Sequence, residues 1–242
     1  AQGAMSGLPI MRPLWFRDVS DPQAMEHQND HFFLGDDILV RAITKANTHD
    51  ISVYLPRGTW YDFWDSSVPA QTGPATKGMK ASQAHVPVLV RSGAILGKKM
   101  RRRRSAGAMA ADPYTLEIYG PTASGHIYAD DGQSHEFQKG AFIYDKLDFD
   151  GKQLFTTPGQ SLHSAGVAKG LPSMPKRNLR IERIVFVGLE KKPSGAKVVS
   201  EGSDVPVEVS VTAVKHASPA AWVATVKKPP CSLGSSWQLV LE

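Results

Sequence analysis

Apolar and polar residues alternate in short runs along much of the 242-residue chain. Residues 51–55 (ISVYL) and Tyr114–Tyr119 (YTLEIY) show the period of a half-buried β-strand, with an apolar side chain at about every second position. Turn residues separate the runs, and the chain holds 21 glycines and 17 prolines. The pattern predicts a mainly β protein with strands at residues 8–16, 38–43, 51–55, 59–64, 86–90, 94–96, 114–119, 125–129, 136–139, 141–148, 154–157, 180–187, 205–214, 222–226 and 237–241.

The connections between these runs have their own signals. Asp21 followed by Pro22 predicts the start of a short helix, with the aspartate as N-cap and the proline in the first turn. Residues 56–58 (PRG) predict the turn of a hairpin. Segments 66–82 and 160–178 are rich in small and polar residues, so we expect the first to be a loop and the second a long loop or an insertion.

The gap between the two groups of predicted strands lies at residues 98–113. It predicts a boundary between two β-sandwiches of about 70 and about 130 residues, of which the smaller leans on a neighbour. The chain opens on AQGAMS, with neither an initiator methionine nor a signal peptide, and its first predicted strand follows almost at once. We therefore expect it to be a piece of something longer.

The net charge of +5 is concentrated in one segment. Residues 98–104 read KKMRRRR, and without these six cations the chain is about neutral. A nucleic-acid-binding domain usually spreads its cations over a surface and interleaves aromatic residues, and this chain does neither. We expect a solvated loop or edge strand whose arginines pair with carboxylates elsewhere, and no nucleic-acid partner.

Several classes of site are excluded by what the sequence lacks. The single cysteine, Cys231, cannot form an internal disulfide or a Cys-rich metal module, and we interpret it as a free structural thiol. No apolar run approaches the roughly 18 residues of a membrane span. The chain has no glycine-rich phosphate loop and no nucleophile elbow, so we predict no cofactor.

Paired carboxylates and two histidines are the candidate chemistry. Glycosidic hydrolysis with retention needs two carboxyl groups about 5 to 5.5 Å apart across a cleft, and sequence neighbours rarely meet that geometry. His27 and His31 have helical spacing but lack the glutamate of an H-E-x-x-H metal motif. We interpret residues 130–132 (DDG) as turn chemistry. No catalytic or metal role is assigned to the pairs Asp18/Asp21, Asp36/Asp37, Asp62/Asp65, Asp130/Asp131 and Asp148/Asp150.

An aromatic cluster offers one further possibility. Trp60, Tyr61, Phe63 and Trp64 lie within five residues and could stack on sugar rings. Their alternation along a strand places at least one face in the core, so we favour core packing.

Five segments in series resemble the C-terminal part of glycoside hydrolase family 31. They are MRPLW at 11–15, FLGD at 33–36, VYLP at 53–56, WYD at 60–62, and VPV with RSGAI at 86–95. One such fragment has little specificity, whereas five in matching order and spacing are specific. Later segments are similar to glucosidase II catalytic (α) subunits within that family, namely MRRRRS at 100–105, DPYTL at 112–116 and RIERIVFVG at 180–188.

The resemblance implies an architecture. Residues 1–34 would end a (β/α)8 catalytic barrel, residues 35–105 would form a proximal C-terminal β-sandwich, and residues 106–242 a distal one. The nucleophile aspartate of this family lies in a W-x-D-M-N-E-type segment, with the acid aspartate further along the barrel. No such segment occurs here, so no catalytic residue is carried over. Asn29-Asp30-His31 departs from the family's D-D-Q, which puts local hydrogen bonding there in doubt.

The resemblance also implies an activity and partners. The activity would be retaining, exo-acting hydrolysis of α-linked glucose from N-linked glycans in the endoplasmic reticulum lumen, with this part inactive alone and supporting the barrel. The partners would be the oligosaccharide, the N-terminal remainder of the enzyme and a glucosidase II β subunit. Alternatives are another family 31 α-glucosidase or α-xylosidase, or a non-catalytic carbohydrate-binding β-sandwich, favoured only if Trp60, Tyr61 and Trp64 are exposed together on one face.

Overall fold

The computed structural model describes residues 3, 6–82, 85–158, 179–200 and 203–242. The chain divides into two compact units, one of residues 1–92 with 214–220 and one of residues 93–213 with 221–242. The helices that lie wholly within the described residues are α1 (Pro22–Glu26) and three 3-10 helices, Leu14–Phe16, Gly107–Met109 and Glu136–Lys139. The strands there are β1 (Met11–Arg12), β2 (His31–Leu34), β3 (Ile38–Arg41), β4 (Asp50–Asp62), β5 (Gln71–Lys80), β6 (Val88–Arg91), β7 (Ile95–Lys98), β8 (Tyr114–Tyr119), β9 (Ala123–Ala129), β10 (Ile143–Phe149), β11 (Gln153–Thr157), β12 (Ile181–Leu189), β13 (Ala196–Ser200), β14 (Ser203–Val207), β15 (Val209–Ala213), β16 (Trp222–Lys227) and β17 (Gln238–Leu241).

The first unit is built on a six-stranded antiparallel sheet in the order β1-β2-β3-β6-β4-β5. The predicted helix start is confirmed, because the Asp21 side chain accepts from the backbone N–H groups of Gln23 and Ala24 and Pro22 is the first helical residue. The first 3-10 helix and α1 each add a residue to the core, which consists of Leu14, Ala24, Phe33, Leu39, Val53, Tyr54, Leu55, Trp60 and Leu89.

Strand β4 continues through Pro56, so the hairpin predicted at residues 56–58 is wrong. Its register with β5 shifts between Leu55 and Gly58, and Gly58 has a φ of 132°, which favours glycine. The facing strand passes so close that a Cβ on Gly73 would lie 2.2 Å from the carbonyl oxygen of Pro56. A bulge opposite a glycine therefore takes the place of the predicted turn.

The second unit contains two sheets. One is six-stranded, in the order β14-β13-β17-β11-β10-β9, and the other is five-stranded, in the order β15-β16-β12-β8-β7 with β8 and β12 parallel. One buried cluster draws residues from both sheets, which is the arrangement of a sandwich. Its largest fully buried side chains are Phe186, Leu116, Ile118, Leu147 and Leu154.

Two glycines allow β7 and β9, which belong to different sheets of this unit, to pack closely. A Cβ on Gly97 would lie 2.9 Å from Cδ1 of Ile127, and one on Gly125 would lie 2.9 Å from Cβ of Ile95. Glycine is favoured at both positions because a side chain would clash with the facing strand, and not because of the backbone conformation, since neither residue has a positive φ.

Most strand predictions hold within a few residues, and β8 has the predicted bounds. Some are wrong: segment 66–82 contains β5, residues 136–139 form a 3-10 helix, and residues 8–16 contain only the two-residue β1 before a 3-10 helix. Strands β2 and β13 have no counterpart among the predictions. The long loop predicted at residues 160–178 lies outside the described residues.

The predicted mainly β fold class is confirmed by this element content and by the sandwich-like arrangement of the sheets. No helix among the described residues is long and apolar enough to cross a bilayer. The division at residues 34 and 105 into a barrel end and two C-terminal domains stays a prediction.

Candidate functional site

Charged side chains converge at the turn between β2 and β3. Arg12 is buried, and its guanidinium donates to the carboxylate of Asp36 through Nη1 and to the carbonyl of Pro9 through Nε at 2.8 Å. Gly35, with a φ of 63°, makes the turn that brings Asp36 back towards β1. Its N–H donates to the carbonyl of Ile10 at 2.8 Å, which fixes the turn against the N-terminal segment.

Two more arginines join the same turn. Arg17 donates through Nη1 to the carbonyl of Asp36 at 3.2 Å, and Arg91 pairs with Asp37 at 2.7 Å. Burial, followed by the charge of Arg91, lowers the pKa of Arg17, while Asp37 opposes the shift. We call these five residues, Arg12, Arg17, Asp36, Asp37 and Arg91, the arginine–aspartate cluster.

Sequence reasoning missed this cluster as a structural unit. Its members lie in three of the motifs that carry the family resemblance: Arg12 in MRPL, Asp36 in FLGD and Arg91 in RSG. The motifs are separated by up to about 80 residues, so spacing alone could not show that they meet. Their recurrence together within one family pattern was the available signal.

An apolar surface lies beside the cluster in the sequence. Seven large apolar residues within the first 34 positions are exposed, namely Leu8, Ile10, Met11, Phe16, Val19, Met25 and Leu34, and we call them the N-terminal apolar surface. Met11 (62% exposed) and Leu34 (40% exposed) are direct partners in the β1–β2 pair and so share one face. A contiguous apolar patch is typical of an interaction site, and the Met11–Leu34 pair is the part of this set whose contiguity the strand pairing shows.

His27, Asp30 and His31 form a cluster of possible metal ligands, with ligand atoms within 4.8 Å of one another. The sequence had singled out the two histidines. His31 is buried, its Nε2 lies 2.9 Å from the backbone nitrogen of Tyr54, and its Nδ1 lies 2.6 Å from Asp30. A backbone N–H can only donate, so Nε2 is the acceptor and Nδ1 carries the proton that is donated to Asp30.

This arrangement gives His31 a structural role. Both ring nitrogens are used, and burial lowers the pKa of His31 to about 4, so the ring is neutral. Metal ligation through Nδ1 would require loss of the proton that binds Asp30, which would leave an imidazolate. The hydrogen bonding that the unusual Asn29-Asp30-His31 sequence put in doubt is therefore present at His31.

The histidine also completes an edge of the sheet. The first half of β4 pairs with β5 on one side only, since its pairing with β6 is confined to residues 60–62. On the other side the backbone of Tyr54 donates to His31, and the carbonyl of Ser52 accepts from Nε of Arg41 at 3.1 Å. Side chains from β2 and β3 thus satisfy backbone groups that a strand would otherwise pair.

The remaining aspartates mainly hold turns and ion pairs. Asp130 accepts from the N–H of Gly132 at 2.8 Å and Asp131 from the N–H of Gln133 at 3.0 Å, which confirms the turn interpretation. Asp62 similarly accepts from the N–H of Trp64 at 2.7 Å. The backbone contacts of these carboxylates account for their positions in the turns.

The four aromatics of β4 and the turn after it do not form one platform. Trp60 is fully buried, donates through Nε1 to the carbonyl of Pro56 at 2.8 Å and stacks on Phe33 at 5.9 Å between ring centroids. Tyr61 is buried, whereas Trp64 is 52% exposed. Core packing is confirmed for Trp60 and Tyr61, and the condition for a free-standing sugar-binding module is not met.

The basic run at residues 98–104 pairs with carboxylates as predicted. Arg103 makes two parallel hydrogen bonds to Asp112, Nε to Oδ2 at 3.0 Å and Nη2 to Oδ1 at 2.7 Å. Arg101 binds Glu182 at 2.9 Å, and Lys99 donates to two backbone carbonyls. The alternate residues 99, 101 and 103 therefore hold the segment in place.

Cys231 fits the predicted structural thiol. It is free and buried, and burial raises the pKa of its thiol to about 12. The neutral thiol packs in the core of the second unit.

Residues 7–96, which contain the arginine–aspartate cluster, match the model of the glycosyl hydrolase family 31 C-terminal domain. Residues 7–96 belong to glycoside hydrolase family 31. This family assignment is the one that the sequence motifs predicted.

Relatives in family 31 match over the whole chain. It is 32% identical to "Neutral alpha-glucosidase AB" of Mus musculus over 247 residues, which covers 100% of this chain and 24% of the relative. A crystal structure of a glucosidase II alpha subunit with DNJ bound superposes with a TM-score of 0.85 at 25% identity, covering 100% of this chain and 26% of that one. The chain thus spans about a quarter of the length of the curated relatives that it matches.

A second solved structure is also similar to this chain. It is described as an ER glucosidase II heterodimeric complex of a catalytic subunit and the binding domain of a regulatory subunit. The chain covers 26% of its matched chain, with a TM-score of 0.82 at 24% identity, and this likeness shows the fold.

Proposed function

We propose that the chain is the C-terminal portion of a retaining exo-α-glucosidase resembling glucosidase II, which removes α-linked glucose from N-linked glycans. In this proposal the catalytic aspartates lie outside the 242 residues, which contain no W-x-D-M-N-E segment. The names of the relatives and the quarter-length coverage support it. The division into a barrel end at 1–34 and C-terminal domains at 35–105 and 106–242 is part of the same proposal.

The role proposed for these residues is to seat and stabilise the catalytic part. The N-terminal apolar surface is the observation that carries this role, because Met11, Leu34 and their neighbours would be covered by the rest of the enzyme. The arginine–aspartate cluster fixes the backbone on which that surface is displayed, through the contacts of Arg12 and Arg17 with Asp36. An exposed surface on a rigid base is suited to docking against a large partner.

We also propose a regulatory β subunit as partner and the endoplasmic reticulum lumen as location. The support is the solved complex of a catalytic subunit with the binding domain of a regulatory subunit, which shares this fold. Both statements follow from the likeness to glucosidase II.

Activity of a reconstituted enzyme tests the proposal. The 242-residue chain would be co-expressed with mouse neutral alpha-glucosidase AB lacking the matching quarter, and 4-nitrophenyl α-glucoside turnover would be measured for each part and for the pair. We expect turnover only from the pair. Turnover by the chain alone, or none from a pair that forms a stable complex, would contradict the proposal.

A further inference from the structure

A set of cations in the second unit is left over after the structural ion pairs are formed. In the basic run, Lys99, Arg101 and Arg103 bind other groups of the protein, although Arg101 and Arg103 are themselves exposed. Met100, Arg102 and Arg104 are exposed as well. Among the residues that the structure describes, Arg102 and Arg104 have no carboxylate at ion-pair distance. Two arginines and a methionine (55% exposed) therefore project from a segment whose backbone is held by its neighbours.

Glu182 connects this segment to a second group of cations. Its carboxylate accepts from Arg101 at 2.9 Å, and its carbonyl accepts from the N–H of Lys228 at 2.8 Å. The next residue, Arg183, is the register partner of Lys227 across β12 and β16. Arg183, Lys227 and Lys228 are exposed, and Glu208 approaches Lys227 at 3.7 Å.

The Arg101–Glu182 contact places the segment that carries Arg102 and Arg104 next to Arg183, Lys227 and Lys228. We call these five cations the basic patch, and Met100 lies in the same segment as the two arginines. We propose that the patch is a docking surface for an acidic segment of another polypeptide. Carboxylates are the matching ligand because guanidinium groups bind them in a planar, two-bond arrangement, which Arg103 already shows with Asp112 in the same segment.

The neighbouring methionine points to a polypeptide as the partner. Arginine and methionine are both enriched at protein–protein interfaces, where an apolar anchor adds to the charged contacts. The patch residues include no aromatic side chain for base stacking, and five cations can neutralise only a short stretch of phosphates. Charge complementarity would also speed association at low salt.

Fluorescence anisotropy with the full 242-residue chain tests the proposal. The probe is a fluorescein-labelled peptide of alternating glutamate and glycine, and the test variant is Arg102→Glu with Arg104→Glu. Both arginines are exposed and outside the structural ion pairs, so the variant is expected to fold. Lys45→Glu with Lys77→Glu is the control, since it makes the same charge change at exposed positions of the other unit.

We expect the arginine variant to weaken peptide binding by at least about tenfold at low salt and the lysine variant to change it by less than about twofold. The neutral variant Arg102→Gln with Arg104→Gln should weaken peptide binding to an intermediate degree. It serves as a second test in case the charge-reversal variant fails to fold. No binding by the wild-type chain, an equal loss in both charge-reversal variants, or tighter binding of single-stranded DNA of equal charge would overturn the proposal. None of these outcomes depends on α-glucosidase activity, so the proposed function is tested separately.

Discussion

The backbone N–H of Tyr54 in β4 donates to Nε2 of His31 in β2 across 2.9 Å, although these strands are not neighbours in the sheet. The contact makes a buried, neutral imidazole part of the sheet edge. Protonation of Nε2 would place two donors against each other, and the Tyr54 N–H would lose its acceptor on His31. The stability of the first unit is therefore linked to the charge of one histidine.

This linkage predicts a pH dependence. Because the pKa of His31 is lowered from 6.5 to about 4 in the folded chain, the unfolded chain binds more protons between these values. The free energy of unfolding should be highest above pH 6.5 and fall by about 1–3 kcal/mol as pH drops towards 4. Urea unfolding at several pH values measures this change.

Two variants test whether His31 causes the predicted pH dependence. His31→Gln cannot titrate, so its unfolding free energy should depend less on pH in this window than that of the wild type. His49→Gln changes an exposed histidine and should keep the wild-type dependence. Equal pH dependence in all three chains would show that His31 is not the group responsible.

A second contact of Tyr54 predicts a coupling with the helix cap. The Tyr54 hydroxyl donates to Oδ2 of Asp21 at 2.6 Å, while Oδ1 of the same carboxylate caps α1. Tyr54→Phe should cost about 1 kcal/mol, and Asp21→Ala more, because it loses the cap as well. The double variant should cost less than the sum of the two, and strict additivity would indicate that the hydroxyl contact contributes nothing.

These contacts show where sequence reasoning succeeds and where it stops. Strand β8 (Tyr114–Tyr119) is a largely buried strand whose Leu116 and Ile118 lie in the core, so its apolar positions predicted it with its observed bounds. Strand β5 is largely exposed and carries little apolar pattern, so its segment was predicted as a loop. The His31–Tyr54 contact joins residues 23 apart through a side chain, and no local pattern encodes such a pairing.

The family motifs predicted the family but not the contacts between their residues, whereas the apolar pattern predicted strands. Each motif resembles family 31, but the sequence did not show that Arg12 contacts Asp36. That contact depends on the β2–β3 turn, which brings the two side chains together. Arg91 had no role in any prediction made from charge or spacing, and Asp36 was considered only as one of the paired carboxylates. Both residues lie in family motifs, which marked them as part of the family pattern but did not show which residues they contact.

The basic run makes a prediction about the difference between an arginine that binds a carboxylate, Arg103, and an exposed arginine outside the ion pairs, Arg102. Arg103→Ala removes both bonds to Asp112 and should lower the urea midpoint, since the Asp112 residue is buried and loses the partner that holds its pKa down. Arg102→Ala should leave the midpoint unchanged, because its side chain points to solvent. Equal midpoints for the two variants would contradict the alternation.

The close approach of β7 and β9 makes a packing prediction. Gly125→Ala places a Cβ 2.9 Å from Cβ of Ile95 and 3.0 Å from its carbonyl oxygen, so the strands must separate, at a cost of about 1–3 kcal/mol. Gly78→Ala is the matched control, since its Cβ would meet nothing within 4 Å. Thermal unfolding of both variants measures the difference. If the Gly125→Ala chain were as stable as the control, the two sheets would not be packed closely enough at this position to exclude a Cβ.

The central claim is that the N-terminal apolar surface seats the catalytic part of a family 31 α-glucosidase. Isothermal titration of the 242-residue chain with mouse neutral alpha-glucosidase AB lacking its matching quarter tests it most directly. Met11→Asp with Leu34→Asp should weaken this association by at least about 100-fold, whereas Val205→Asp, at an exposed apolar residue of the second unit, should leave it unchanged. Unaltered binding by the Met11/Leu34 variant, with the wild-type chain binding normally, would contradict the claim.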